Sequence, residues 1–399
     1  MNSFETKTAA RKLDFPTIGD LRARALKRTP RFAFDYVDGA AGADEQNMKT
    51  NVAALDAVEI VPRYGVDNFV ADPATAIFGH TYAQPVGIAP MGIPSLVLPG
   101  GEKDFARAAH THNIPLVLGG VAAATVEDCA ELAPDNLWFQ LYRVAKDELA
   151  VNMDMAARAQ AAGVHVLVLT LDVPARTKRP REMRARLVIP YRHSITTVSE
   201  VLRHPNWLAT YLRRGIDGFA NYKPYAGDNP SAKDVTSFVR RESGGSFTWE
   251  EVKRFRDAWP GALVVKGLLH PGDAERAVAA GVDGVIVSNH GGRQLEAAPP
   301  AIDALPAIVN AVGSSTKVMF DSGIRSGIDV VRAMALGAEF VFSGRPFMYG
   351  LGALASDGPG FVAEFFAEEI KAAMRQIGTQ SFAEARDLTI RHPGALKFS

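Results

Sequence analysis

The stretch SNHGGRQLE (Ser288 to Glu296) sets an imidazole and a guanidinium three positions apart, directly behind the apolar run GVDGVIV. An imidazole takes or gives a proton near neutral pH. A guanidinium grips a carboxylate or phosphate through a planar fork of N–H donors. Between the two, Gly291 and Gly292 let the chain turn tightly without side chains. His290 is therefore a candidate base and Arg293 a candidate anion anchor. A second cluster lies in DSGIRSG (321–327) and SGRPF (343–347), each of which opens a helix. Backbone amides of Gly323 and Gly344, with the side chains of Arg325 and Arg345, form a cradle there for a phosphate on a substrate or cofactor. Lys266 ends LVVK, its stem among apolar neighbours. Such an amine suits a Schiff base or the neutralisation of an anionic ring, and spacing alone does not choose.

Groups so far apart in the chain need a scaffold that gathers loops at one end. Eight short runs, PVGIAP, PLVLGG, LWFQLY, VLVLTLD, LVVKG, GVIVSNH, KVMFDSG and FVFSGR, are almost continuously apolar, as parallel strands covered on both faces are. Helical patterns such as EKDFARAAHTH and IDVVRAMALGAE separate most of them, and GFVAEFFAEEIKAAMRQIG supplies the helix after the last strand. Gly163, Gly281 and Gly337 read as left-handed helix caps. Eight βα units predict an α/β fold, a (β/α)8 TIM barrel, whose active site lies at the C-terminal strand ends. Those ends hold Pro90, Met91 and Gly92 (first strand), Gln140 and Tyr142 (third), Thr170 and Asp172 (fourth), and Lys266 (fifth). Ser288, Asn289 and His290 close the sixth, Asp321 and Gly323 the seventh, Gly344 and Arg345 the eighth. The chain reads as one domain: an N-terminal helical cap over 1–80, with helices at TIGDLRARALK and RFAFDYVDG, and the barrel over 81–399. Residues 187–246 are an insertion after the fourth strand, too long for an ordinary βα loop.

Charge narrows the partners. The 44 Lys and Arg balance 44 Asp and Glu, which gives no general attraction to nucleic acid. The single cysteine, Cys129, excludes an internal disulfide and a Cys-rich metal site, and reads as a helix-packing residue. No metal is expected. MNSFETKTAARKLDFP lacks the apolar core of a secretory signal, and four prolines prevent PVGIAPMGIPSLVLPGG from spanning a bilayer. A cytoplasmic location follows as the expectation.

SNHGGRQL also resembles the signature of the FMN-dependent 2-hydroxy-acid dehydrogenases and oxidases, the family of glycolate oxidase, lactate oxidase, and lactate and mandelate dehydrogenases. FDYVDGAAGADE, IAPMG, WFQLY, LTLDVP, RPRE, VVKG, DSGIRSG and SGRP fall in the family's order across nearly the whole chain. The resemblance implies oxidation of an L-2-hydroxy acid to a 2-oxo acid. It implies FMN across the barrel mouth, with its phosphate on Gly323, Arg325, Gly344 and Arg345. The backbone of Pro90, Met91 and Gly92 would lie against the ring, with Gln140 and Thr170 on the pyrimidine edge and Ser288 and Asp321 also at the cofactor. Lys266 would stand at the N1–O2 edge, which displaces the Schiff-base reading. His290 would be the base, Asp172 its orienter, Tyr142 a donor to the substrate oxygen, and Tyr36, Arg181 and Arg293 the carboxylate clamp.

Departures from the family pattern define what else is expected. VPARTKRPRE carries two more residues between Asp172 and its Arg-Glu pair than glycolate oxidase does; Arg181 is the first candidate for the clamp, with Arg179 and Arg176 as alternatives. Gly119, Gly120 and Val121 stand where glycolate oxidase has two serines and a tryptophan, and Gly92 where several oxidases have alanine. More side-chain space points to an apolar or aromatic substituent. The electron acceptor is quinone or oxygen, oxygen giving peroxide and an oxidase. VLRHPNWLATYLRRG in the insertion resembles the membrane-associating segment of bacterial lactate and mandelate dehydrogenases, so a peripheral contact with the inner face of the cell membrane is one reading and a lid or oligomer contact the other. The resemblance also implies a homo-oligomer, a tetramer. A phosphate-binding barrel isomerase or aldolase is the alternative of a different class.

Overall fold

All eight apolar runs form strands, and they close on themselves. In chain order these are β1 (Val86–Ile88), β2 (Leu116–Gly119), β3 (Leu137–Leu141), β4 (Val166–Thr170), β5 (Ala262–Leu268), β6 (Gly284–Val287), β7 (Lys317–Asp321) and β8 (Phe340–Ser343). Each pairs in parallel with its sequence neighbour, and β8 returns to β1 with Val341 opposite Val86 and Ser343 opposite Ile88. The computed structural model describes residues 12–66, 69–185 and 195–398. It is a (β/α)8 TIM barrel.

Alternation along the strands decides which residues can do chemistry. Val117, Trp138, Val168, Val264, Ile286, Met319 and Phe342 fill the barrel interior, while Leu167, Leu169, Leu263, Val265 and Val285 pack outward on the helices. Two positions beyond an inward-facing residue points inward again. From Trp138, Val168, Val264, Ile286 and Met319 that step leads to Gln140, Thr170, Lys266, Ser288 and Asp321, all buried. The polar residues are thus the barrel's own uppermost layer. At the opposite end an antiparallel hairpin, Thr75–Ile77 with His80–Tyr82, plugs the barrel, and Trp138 Nε1 donates to Tyr82 Oη at 3.0 Å.

The expected helices follow their strands, and Gly163, Gly281 and Gly337 hold the left-handed cap conformation at φ 86°, 83° and 105°. One expectation needs correcting. The helix that directly follows β8 is Arg345–Leu354, started by Pro346 in its first turn; it stops at Ala355 (φ 56°), and Gly358–Ile377 comes after it. Arg345–Leu354 packs along the cap helix Ile18–Arg28, which Thr17 and Asp20 start as a capping box. The cap adds Arg31–Asp38 and Gln46–Asp56.

In the insertion, residues 187–194 lie outside those described. The rest holds helices Ile195–Leu202, Pro205–Arg214 and Ala232–Glu242. Trp207 is buried edge-on against Phe32 with its indole N–H on the Leu96 carbonyl, so it does not face outward. Ile195, Val198, Leu202 and Leu212 are exposed. Cys129 is buried, as its helix-packing role requires. Among the described residues no helix is long and apolar enough to cross a membrane, and no cluster of His, Cys, Asp or Glu could hold a metal.

Candidate active site

A cavity of about 640 Å³ opens at the C-terminal strand ends, and Tyr36, Tyr142, Lys266, His290 and Arg293 all line it. The loop that carries His290 is held in a conformation side chains rarely adopt: φ is 59° at His290, 62° at Gly291 and 76° at Gly292. Hydrogen bonds offset that strain. The His290 amide donates to Ser288 Oγ at 3.0 Å, the Gly291 amide to Ser322 Oγ at 3.0 Å, and the Gly292 amide to Asn289 Oδ1 at 3.2 Å. Asn289 is itself fixed by reciprocal amide bonds with Asn51 of the cap, 2.8 and 2.9 Å. Sequence reading missed Asn51, Ser322 and this use of Asn289. No spacing links residue 51 to residue 289.

His290 Nδ1 lies 2.8 Å from Asp172 Oδ1, and Nε2 lies 3.3 Å from the Tyr142 hydroxyl. A carboxylate on Nδ1 fixes the proton there and leaves the Nε2 lone pair facing the cavity. Burial lowers the imidazole pKa more strongly than Asp172 raises it, with Lys266 and Arg179 adding to the fall. The ring is neutral, ready to accept a proton. Burial pushes Asp172 up, but His290 and Lys266 outweigh it and hold the carboxylate ionised. Burial also raises Tyr142, which keeps its proton as a donor.

Lys266 Nζ sits 3.0 Å from Asp321 and donates to Ser288 Oγ at 2.8 Å. Burial works against its charge, yet Asp321 and Asp172 prevail and raise the pKa. A persistent ammonium has no lone pair for a Schiff base. The geometry therefore favours the electrostatic role.

The arginine assignment changes. Arg181 is turned to the cap, where it pairs with both Asp38 and Glu45, and it does not line the cavity. Arg176 also lines the cavity, with its Nη2 held at the end of helix Ala232–Glu242 by the Val239 and Arg240 carbonyls, both at 3.4 Å. Arg179 enters the cavity: its Nε donates to the Arg293 carbonyl at 3.1 Å and Nη1 lies 3.4 Å from Glu182. The physical reason is the short helix Pro180–Arg184, which begins between the two arginines and rotates Arg181 away. The two extra residues lie behind the cavity arginine; counting forward from Asp172 finds it, counting back from Glu182 does not. Arg293 is anchored by the Tyr36 and Gly39 carbonyls (2.7 and 2.8 Å) and Glu182 (2.8 Å), with its guanidinium 5.2 Å over the Tyr36 ring.

The other half of the mouth fits a flat polar ring with an anionic tail. Gln140 Nε2, Thr170 Oγ1 and Ser343 Oγ are buried without a hydrogen-bond partner among the described residues, and their grouping at the mouth fits the polar edge of a bound ring. Side-chain bulk is excluded beside them: a Cβ on Gly92 would collide with the Tyr36 hydroxyl, and one on Gly119 would stand 2.9 Å from the Met91 carbonyl. At the tail end Gly323 (φ 93°) packs on the Asn51 backbone, and Gly344 precedes helix Arg345–Leu354. Buried Arg345 makes no ion pair among the described residues. It donates to the Val37, Gly39 and Gly291 carbonyls (3.1, 2.8 and 2.8 Å), and burial together with Arg325 presses its pKa down to about 9. In this arrangement it brings charge to the cradle while its donors tie the cap to the barrel. Arg325, whose Nη1 donates to the Ile324 carbonyl, likewise makes no ion pair among the described residues, and two such cations suit a phosphate.

Known proteins carry the same architecture. The family model described as FMN-dependent dehydrogenase matches residues 25–392. An L-lactate dehydrogenase of Stenotrophomonas maltophilia (strain R551-3) is 37% identical over 377 residues, covering 94% of this chain and 98% of that one. One from Caulobacter vibrioides (strain NA1000 / CB15N) is 37% identical over 372 residues, with 92% and 95% covered. Among solved structures, the monotopic membrane protein (S)-mandelate dehydrogenase superposes with a TM-score of 0.88 at 33% identity, over 95% of this chain and all of that one. A mandelate oxidase gives 0.79 at 32%, over 95% and 99%. With likeness of this depth along nearly its whole length, the chain belongs to the family of FMN-dependent 2-hydroxy-acid dehydrogenases of lactate and mandelate type.

Proposed function

We propose that the protein oxidises an L-2-hydroxy acid to the 2-oxo acid with His290 as its base. One observation carries this reading: an imidazole neutral by burial and oriented by Asp172 opens onto the cavity that Arg179 and Arg293 also enter. Two guanidiniums and the Tyr36 hydroxyl hold the substrate carboxylate, which directs the carbinol carbon to His290 and Tyr142. His290 Nε2 takes the hydroxyl or Cα proton of the substrate, and Asp172 stabilises the imidazolium that results. Tyr142 donates to the substrate oxygen. FMN, when bound, would accept the two electrons together with the second hydrogen removed from the substrate. Gln140, Thr170 and the Pro90–Gly92 backbone would hold its ring, Ser288 and Asp321 would flank it, and Gly323, Arg325, Gly344 and Arg345 would hold its phosphate. Lys266 keeps a positive charge at the ring's polar edge. Val121, Met183 and Phe219 give the cavity an apolar wall beside Arg176, Thr177 and Lys178, and that wall suits an apolar or aromatic substituent.

The test is anaerobic mixing of the holoenzyme with lactate, mandelate, glycolate and longer 2-hydroxy acids. Loss of visible FMN absorbance with one or more of them is expected, and absorbance untouched by all would end the proposal.

For the acceptor we favour quinone at a membrane. Ile195, Val198, Leu202 and Leu212 are exposed on neighbouring helices, with exposed Arg203 in the turn between them and exposed Arg213 on the second, a pattern suited to an anionic bilayer surface. The likeness to a monotopic mandelate dehydrogenase supports this; the likeness to a mandelate oxidase supports oxygen instead. Stopped-flow reoxidation separates them, quinone outpacing oxygen in the favoured case.

A further inference from the structure

The clamp contains a carboxylate of its own. Glu182 Oε1 lies 2.8 Å from Arg293 Nη2 and 3.4 Å from Arg179 Nη1, so one oxygen bridges guanidiniums from the loops after β6 and β4. Glu182 itself lines the cavity. Among the described residues its ion pairs are both with the clamp, and the three side chains are 16–21% exposed, shielded enough for their charges to be felt. Among these three ion-paired side chains, two cations and one anion leave a net charge of plus one; Arg176 and Lys178 line the same cavity outside this group of ion pairs. A single substrate carboxylate brings the charge of the three to zero.

We infer that Glu182 is a specificity-determining residue that sets the clamp for monoanionic acids, rejecting those with a second negative charge close to the first. The inference rests on the hydroxy-acid reading above and extends it to the charge class of the substrate. An acid with one carboxylate meets a cluster it neutralises. A dicarboxylate places its second charge near Glu182, where the adjoining guanidiniums are already shared with that residue. Glu182 also keeps two like charges in register, which without it would repel each other across the cavity.

Matched ligands separate the charge role from the register role. 2-Oxobutyrate and oxaloacetate have four carbons each and differ by one carboxylate. Their dissociation constants for the wild-type holoenzyme and Glu182→Gln are read from perturbation of the FMN spectrum, at low and high salt. The amide keeps a hydrogen-bond acceptor between the arginines and removes only the charge. Wild type should prefer 2-oxobutyrate; Glu182→Gln should bind both more tightly, with oxaloacetate gaining several-fold more, and the extra gain should shrink at high salt. An unchanged preference would overturn the inference and reduce Glu182 to holding the guanidiniums apart. Should the wild type bind neither acid, the clamp reading fails, and that outcome is distinct because no variant is needed to see it. Glu182→Asn serves the same comparison if Glu182→Gln loses FMN.

Discussion

At the scale of single residues the site divides into groups whose charge is set by burial and groups whose charge is set by a partner. His290 belongs to the first: desolvation beats Asp172, and its pKa falls below the ordinary 6.5. The acid limb of kcat/KM should therefore lie below that value, activity rising with pH as the imidazole loses its proton and reaching a plateau by neutral pH. His290→Asn should keep FMN and slow flavin reduction by roughly 10²–10⁴-fold. Reduction at the normal rate would remove it as the base. The arginines give the sharper comparison. Arg179→Met should raise KM about 10–100-fold, the scale of one charge-assisted hydrogen bond, with Tm little changed. Arg181→Met should do the reverse, sparing KM while lowering stability by about 1–3 kcal/mol. Steady-state kinetics beside thermal melts checks both.

Elements explain why those residues meet. The loop after β4 is latched to the cap through Arg181, Asp38 and Glu45, and Asp38 also takes Arg22 and the Tyr349 hydroxyl at 2.7 Å. Burial alone would raise Asp38; Arg22, Tyr349 and Arg181 hold it at about 2. A depressed carboxylate stabilises the fold above its unfolded value near 4 and loses that contribution as pH falls towards 2. Acid should loosen this latch, and in Asp38→Asn the acid dependence should flatten. On the insertion, Leu202→Asp with Leu212→Asp should abolish sedimentation with anionic phospholipid vesicles while leaving turnover with a soluble acceptor unchanged. Retained sedimentation would assign the exposed leucines to another partner.

For the whole molecule, the cap and the barrel close on each other across the mouth. Arg345 ties β8 to the carbonyls of Val37 and Gly39, and Asn51 ties the cap to the His290 loop. Arg325 and Arg345 repel each other at the cradle. Removing FMN should therefore lower Tm, and inorganic phosphate should restore part of it by relieving that repulsion. A phosphate-insensitive apoprotein would move the anion site elsewhere.

Much of this was legible in the chain because local physics writes it there. Apolar runs of strand length, helix caps at glycine and the count of eight fixed the barrel, since each depends on neighbours in sequence. The top polar layer was legible for a related reason: a strand's alternation carries from Val264 to Lys266 or from Ile286 to Ser288 whatever lies around it. Local pattern has no reach beyond that. Arg176, Arg179 and Arg181 are equivalent in composition; where a five-residue helix begins separates Arg179 from Arg181, and the carbonyls of Val239 and Arg240 hold Arg176. Glu182 acquires meaning only beside Arg293, and Asn51 only beside Asn289. Tertiary structure alone decided these, because a side chain's charge and partner depend on burial and on contacts that sequence distance does not encode.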